Sequence, residues 1–476
     1  MAQTDSKAIT THVGVIGGGL LGSVLAFRLR RQGFQVTLLE AAPSIGGLAS
    51  SETIGGFSWD RFYHVILLSD RHTLGLIEEL GLTDRLRWGT TRTGFYTDGR
   101  LHSMSDALEF LRFPPLSLFD KLRLGATIFH ASRIRRPEQL EKVLATDWLR
   151  RWSGERVLEK IWLPLLKSKL GDNYRIASAA FIWAIIARMY AARRSGIKRE
   201  MFGYLEGGYG PLQATLSQKL LDAGVSVRCG VAVEQIERGS NGFTIRFSNA
   251  PPLSVDKVVA TIAPALVAAS APQLSEAERE RYSRIAYQGV VCASILTRKP
   301  LSRYYVTNIT DAQSPFTGVI EMTTLVDRAS FGGNSLVYLP LYLPQGDSRW
   351  NEDDESLRER FFAALARMYD HFDPADVLDF KVSRARQVLA ISTLDYSRTS
   401  MPGLETSVPG LFLLNSAQIA YGTLNVNETL GLIEGQLGRL LTCLRQDSGA
   451  TVRPASKGSP MPDVSGHMPD ATEHAK

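Results

Sequence analysis

The sequence predicts an α/β fold: a Rossmann-like parallel sheet with a β-meander, interleaved with a mixed α+β domain and a helical cap. Three observations carry that prediction. A short apolar strand over 13–16 runs straight into Gly17-Gly18-Gly19-Leu20-Leu21-Gly22 and then into a helical pattern. Short β segments return at 225–262 and again at 410–414, far from that first unit. Between these pieces, 106–192 carries apolar residues at helical spacing and 287–381 mixes strands with a helix. At 476 residues, 44% hydrophobic and 21% charged, the chain suits about two or three domains with a full core.

In the opening unit, Gly17 permits a tight turn, Gly19 lets the backbone approach a pyrophosphate, and Gly22 lets the helix pack closely on the strand. The helix over 23–32 sets Leu25, Ala26 and Leu29 on one face, and Gly33 ends it. A strand over 35–39 then finishes on Glu40, where an acid can accept hydrogen bonds from both hydroxyls of an adenosine ribose. A glycine-rich turn in some other βαβ unit is the alternative, and the register of strand, glycines, helix and terminal acid argues against it. Gly46-Gly47, in the loop over 41–50, would let further amides reach the same dinucleotide.

Further along, helices are expected at 120–132, 146–152 and 154–161, then strands at 225–229, 231–236, 243–247 and 257–262. Ser240-Asn241-Gly242 supplies a turn between the second and third of those strands. Strands at 290–297, 318–323 and 336–341 precede a helix over 354–369, and a buried strand at 410–414 precedes a last helix over 426–444. Beyond Gln446 the chain is rich in Pro, Ser, Gly and Asp, so 446–476 is expected to be a disordered tail. The expected division is 12–100, 203–280 and 385–445 for the nucleotide-binding domain, 101–202 for the cap, and 281–384 for the rest of the substrate domain.

Composition narrows the function classes. Residues 2–11 are polar and carry no secretory pattern, and the longest apolar stretch, 177–187, stops at Arg188, short of the ~20 residues a membrane span needs. The three cysteines, Cys229, Cys292 and Cys443, lie far apart without metal or redox spacing, and the eight histidines form no array, so no metal site is expected. A reducing cytoplasm is the expected compartment. The net charge of +6 is uneven: 110–199 holds 19 Lys and Arg against 7 Asp and Glu, an excess of +12. With Leu116, Phe119, Leu122, Leu124, Ile128 and Phe129 at helical spacing, that segment could meet acidic lipid on the inner face of a membrane or a phosphorylated substrate. A solvated basic face is the alternative, and no nucleic-acid module accompanies the charge.

The segments 13–22, Leu38-Leu39-Glu40-Ala41 and Ile45-Gly46-Gly47-Leu48-Ala49 resemble the FAD-binding opening of the amine oxidase, protoporphyrinogen oxidase and phytoene desaturase superfamily. Gly230 to Ile236 resembles the strand whose valine backbone meets the adenine, with Val233 at the matching position. Gly410 to Ser416, continuing through Val426-Asn427-Glu428, resembles the closing strand, loop and helix that hold the pyrophosphate, ribityl chain and flavin ring. Asn415-Ser416 departs from the usual Gly-Asp or Gly-Asn there. Gly203-Tyr204-Leu205-Glu206-Gly207-Gly208 before a helix makes the chain most similar to bacterial protoporphyrinogen-oxidase-like proteins. The resemblance implies FAD held by Gly17, Gly18, Gly19, Leu20, Leu21, Gly22, Glu40, Ala41, Gly46, Gly47, Leu48, Val233, Asn415, Val426 and Asn427. The N-terminus of the last helix would face the anionic edge of the reduced ring.

Catalytic candidates come from Trp59-Asp60-Arg61-Phe62-Tyr63-His64, a region that runs beside the flavin in the superfamily and is similar to a histidine-bearing segment of UDP-galactopyranose mutase. His64 is a candidate acid or base, or a hydrogen-bond partner of the ring, with a structural histidine as the alternative. Tyr63 is a further candidate, with simple packing on the ring as the alternative. Lys167 and Lys169 form a further candidate pair, but two residues apart on a helix they cannot both face one surface. Tyr304, Tyr305 and Tyr338 either line a substrate cavity or belong to the core. The implied function is an FAD-dependent oxidoreductase taking hydride from a small organic substrate and passing electrons to oxygen or a quinone-like acceptor. A redox-neutral mutase acting on a sugar nucleotide is the second reading, and a non-catalytic binding protein like the Rab GDP-dissociation inhibitors the third.

Overall fold

The computed structural model describes residues 10–105, 107–193, 201–423 and 425–446. Strand β1 (His12–Ile16) lies at the centre of a five-stranded parallel sheet whose order is Leu411–Leu413, Lys257–Ala260, β1, β2 (Gln35–Leu39) and Ser226–Arg228. These strands read as near-continuous apolar runs because both faces of the sheet are covered. Helix α1 (Leu20–Arg31) and the last helix, Val426–Arg445, cover one face, so Val15, Leu25 and Ile433 share a core. The meander covers the other, where Ile16, Ile245 and Val258 meet. All five strands point their carboxyl ends to one edge, which is where open α/β sheets bind ligands.

The meander differs from expectation at its start. Its strands are Val233–Gly239, Gly242–Phe247 and Leu253–Val255, with Gly239 paired to Gly242 across Ser240-Asn241. Residues 230 and 231 stay outside the strand because their amides donate elsewhere, Gly230 N–H to the Ala42 carbonyl at 2.8 Å and Val231 N–H to the Glu40 carbonyl at 3.0 Å. The start of the meander is thereby tied to the end of β2.

A seven-stranded, mainly antiparallel sheet forms the second layer, in the order Val377–Ala390, Tyr287–Thr297, Ser335–Pro344, Gly318–Glu321, Val306–Ile309, Thr93–Thr97 and Arg100–Ser103. Its first and last members cross the expected boundaries at 384 and 100. Val377–Ala390 escapes sequence reading because it is an edge strand, and edges carry charges such as Lys381 and Arg384 that protect them from aggregation. The cap core gathers Phe113, Leu124, Trp148, Leu158, Trp162 and Ile182. The helix expected at 154–161 continues through a π-helical turn, Leu158–Trp162, into Leu163–Leu170. Pro164, which has no amide to donate, sits just past that turn.

Two further elements bear on the site: the hairpin Ser51–Ile54 with Phe57–Asp60, and helix α2 (Arg71–Glu79), which packs on the last helix. Among the described residues no helix is long and apolar enough to cross a membrane. The expected tail beyond Gln446 lies outside the described residues.

Candidate functional site

At the carboxyl edge of the parallel sheet, the glycine turn is fixed from several sides. Gly17 has φ of +107°, and a Cβ there would lie 2.5 Å from Thr261 Oγ1. A Cβ on Gly22 would lie 1.8 Å from the Gly17 carbonyl oxygen, so strand and helix meet in a way that only glycine permits. Gly19 is the N-cap of α1, yet no side chain accepts from the first turn and no acid lies in it. The positive end of the helix, with Leu20 and Leu21 at its start, is therefore left for an anion.

Glu40 closes the other side. Its Oε2 accepts the Gly18 N–H at 2.6 Å and its Oε1 accepts the Ala42 N–H at 2.8 Å, which holds the carboxylate across the ends of β1 and β2. The second glycine pair lies directly on the first. Gly46 N–H donates to the Gly18 carbonyl at 2.8 Å, and a Cβ on Gly47 would lie 3.0 Å from Gly19 Cα. The two glycine loops touch backbone to backbone, with Ala41 and Gly47 exposed and Leu48 half-buried at their rim. Val233, half-buried, opens the meander opposite Phe247.

The closing segment turns its asparagine side chains onto the protein. Asn415 is buried; its Oδ1 accepts from Ala417 N–H at 2.8 Å and Tyr287 O–H at 3.2 Å, while its Nδ2 donates to the Thr261 carbonyl at 3.0 Å. Asn427 Oδ1 accepts from His72 N–H at 2.9 Å and Thr73 N–H at 3.4 Å, capping α2, whose own N-cap residue Asp70 makes no such bond. Asn415 thus spends both ends of its side chain on the protein, and Asn427 its amide oxygen. Val426 opens the last helix, and Asn425 caps it by accepting from Glu428 N–H at 3.0 Å.

Beside the glycine loops runs the segment from Ser50 to His64. Buried Asp60 accepts the Tyr209 N–H on Oδ1 at 2.7 Å and the Tyr338 hydroxyl on its carbonyl at 2.5 Å. His64 Nδ1 lies 3.7 Å from Asp60 Oδ2, beyond hydrogen-bond reach, and its ring sits 5.1 Å from that of Tyr209. Ser50 Oγ, Ser51 Oγ and His64 Nδ1 are buried without a hydrogen-bond partner among the described residues. Groups of this kind are expected where a bound molecule completes the hydrogen bonding.

Tyr63 and Tyr342 share a hydroxyl–hydroxyl bond of 2.8 Å, and the Tyr63 ring lies 6.2 Å from that of Tyr338. Burial, followed by the neighbouring Tyr342, holds the Tyr63 hydroxyl well above the usual phenol range, so it stays protonated. The two lysines stand over different rings. Lys167 Nζ stands 5.6 Å over the Tyr174 ring, whereas Lys169 Nζ stands 5.3 Å over Tyr342. Helix Leu163–Leu170 buries Leu166 and Leu170, and the two lysines flank that stripe on opposite sides, Lys169 on the side of the tyrosine pair. Tyr305 and Tyr338 are core residues. Tyr342, Asp60 and Tyr209 were missed. Tyr338 and Tyr342 are four apart on one strand and so share a face, a period-two signal that was available.

The family of flavin-containing amine oxidoreductases matches residues 24–417. Coproporphyrinogen III oxidase of Mycobacterium leprae is 35% identical over 94 residues, 19% of this chain and 21% of that protein. Mitochondrial protoporphyrinogen oxidase of Nicotiana tabacum is 30% identical over 95 residues, 20% of this chain and 19% of that protein. The chain thus aligns with about a fifth of the length of these curated relatives. Among solved structures, putrescine oxidase bound to putrescine superposes with a TM-score of 0.70 at 15% identity, covering 91% of this chain and 99% of the other. Reduced UDP-galactopyranose mutase superposes with a TM-score of 0.67 at 15% identity, covering 92% and 98%. At such identities the likeness is one of fold. Because the family match extends over most of the sequence, from the first helix to the closing loop, this chain belongs to the flavin-containing amine oxidoreductases.

Proposed function

We propose that the chain binds FAD and oxidises a small organic molecule, removing hydride from a C–H bond next to nitrogen or an activated carbon. The observation that carries this reading is the contact of the two glycine loops above an uncapped helix N-terminus, with Glu40 anchored beside them. A dinucleotide fits that arrangement. The amides at the start of α1 would hold the pyrophosphate, Glu40 keeps lone pairs for ribose hydroxyls, and Val233 lies at the adenine side.

Bound FAD supplies the hydride acceptor, with oxygen or a quinone-like molecule taking the electrons onward. The chain's own residues bind, orient and exclude water. The dipole of the last helix would favour negative charge on the ring, and burial raises the pKa of Glu428 in its first turn. His64 Nδ1 is free to give or take one hydrogen bond at the ring or substrate. Protonated Tyr63 orients rather than abstracts.

The test is direct. Purified protein should show oxidised-flavin absorbance, the released cofactor should have the mass of FAD, and anaerobic mixing with a substrate should bleach the absorbance. Protein that neither carries flavin nor takes up added FAD would sink the reading. Turnover of a sugar nucleotide only after dithionite reduction, without net electron transfer, would replace it with the mutase.

A further inference from the structure

The cap helix Leu118–Arg133 is apolar on two opposite faces. One face buries Leu124, Thr127 and Ala131 in the cap core. The other is open to solvent: Leu118 is 64% exposed, Phe119 68%, Leu122 65% and Phe129 52%, with Leu111 at 51% on the preceding helix. Positions 118, 122, 125 and 129 follow helical spacing, so these side chains form one stripe, with Gly125 and Ala126 between its two halves. Scattered exposed leucines need no explanation, but a continuous stripe of this kind marks an interaction surface.

Charge says what covers it. Asp120, the helix's one acid, is buried in a capping box with Ser117, so no carboxylate of the helix lies on the open stripe. Exposed Arg112 stands before the stripe and exposed Arg133, Arg135 and Arg136 stand after it, with Arg133 stacked 4.9 Å over the Phe129 ring. We infer that this stripe docks on an anionic membrane surface, its leucines and phenylalanines entering the acyl boundary while the flanking arginines meet lipid phosphates. A second copy of the chain would bring the same excess of arginine to the contact, whereas anionic lipid supplies the missing negative charge. Arginines long enough to reach the headgroups from either end of an embedded stripe suit such an interface.

The experiment uses the full flavin-loaded chain and two vesicle preparations, phosphatidylcholine alone and phosphatidylcholine mixed with phosphatidylglycerol. Co-sedimentation should be at least about tenfold stronger with the anionic vesicles and should fall with added salt. The triple variant Leu118→Ser, Phe119→Ser, Leu122→Ser should lose that binding about tenfold or more while keeping its flavin absorbance and melting temperature, since all three side chains face solvent. A second variant, Arg133→Gln with Arg135→Gln and Arg136→Gln, should lose the preference for anionic lipid. Equal binding to both vesicles, no binding to either, or unchanged binding by the triple variant would overturn the inference. So would a wild-type dimer that ignores vesicles and becomes monomeric in the triple variant, because a second copy would then be the occupant.

Discussion

Gly18 and Glu40 are held together from both directions: the Gly18 amide donates to Glu40 Oε2 at 2.6 Å, and a Cβ on Gly18 would lie 2.8 Å from the Glu40 Cβ. The acid is therefore set by the turn as much as by its own strand. Glu40→Ala removes the anchor and the proposed ribose acceptor at once. FAD affinity of the reconstituted apoprotein should fall on the order of tenfold to a hundredfold, in line with the loss of one or two charge-assisted hydrogen bonds. Unchanged affinity by fluorescence titration would remove Glu40 from the site.

Gly19 and Gly22 should separate binding from folding. At Gly19 φ is −63° and a Cβ would find only Gly47 Cα, at 3.9 Å. Gly19→Ala should leave the apoprotein's melting free energy within about 0.5 kcal/mol yet cut flavin affinity at least about tenfold, because a pyrophosphate held as proposed would need the space the methyl takes. Gly22→Ala, which meets the Gly17 carbonyl oxygen at 1.8 Å, should fail to accumulate as folded protein. Thermal melts with and without added FAD check both.

Asn427→Ala should behave as the loss of a helix cap. Stability should drop by about 1 kcal/mol, with flavin absorbance retained. Asn415→Ala should cost more, on the order of 2–3 kcal/mol, since it leaves the Tyr287 hydroxyl, the Ala417 amide and the Thr261 carbonyl without their partner. Urea titration of each variant is the measurement.

His64→Ala should leave the fold within about 1 kcal/mol of wild type, because Nδ1 has no hydrogen-bond partner to lose among the described residues. Its expected effect is a shift in flavin absorbance or reduction potential, and unchanged spectra and kinetics would make His64 structural. Lys169→Ala should raise KM more than Lys167→Ala, since only the former sits over Tyr342.

Glu321 gives the pH prediction. It is wholly buried in the seven-stranded sheet, where its oxygens accept from Leu301 N–H at 2.9 Å and Thr323 O–H at 3.2 Å, and burial pushes its pKa up to about 7. A folded-state pKa above the unfolded value means the folded chain binds more protons between about pH 4.5 and 7. The contribution is full below about 4.5 and is lost as pH rises through 7, a swing on the order of 3 kcal/mol. Glu321→Gln should flatten the fall in melting temperature across that window and be the more stable protein at pH 8. An unaltered slope would assign the pH dependence to other groups.

What could be read from the sequence was what lies close together in it. β1, the glycine turn, α1, β2 and Glu40 fall within thirty consecutive positions, so local spacing carried their geometry. The function of Asn427 could not be read that way, because the amide it caps lies 355 residues distant. The choice between Lys167 and Lys169 could not be read either, because the two flank buried Leu166 and Leu170 symmetrically and only their ring neighbours, Tyr174 and Tyr342, tell them apart. The hairpin Ser51–Asp60 was too short for a periodic signal, though its last residue anchors Tyr209 and Tyr338.

The parallel sheet draws adjacent strands from residues 12–16, 257–260 and 411–413. During synthesis, β1 can pair at once with β2 but waits for its other neighbour until more than half the chain has been made, and the sheet closes only near the end. Long-range parallel pairing of this sort folds slowly and leaves strand edges open meanwhile. A ligand that binds only the closed sheet then acts as a folding partner, drawing the equilibrium toward the native state in proportion to its concentration. Flavin supply during growth should accordingly govern how much of this protein a cell accumulates, before any question of turnover arises.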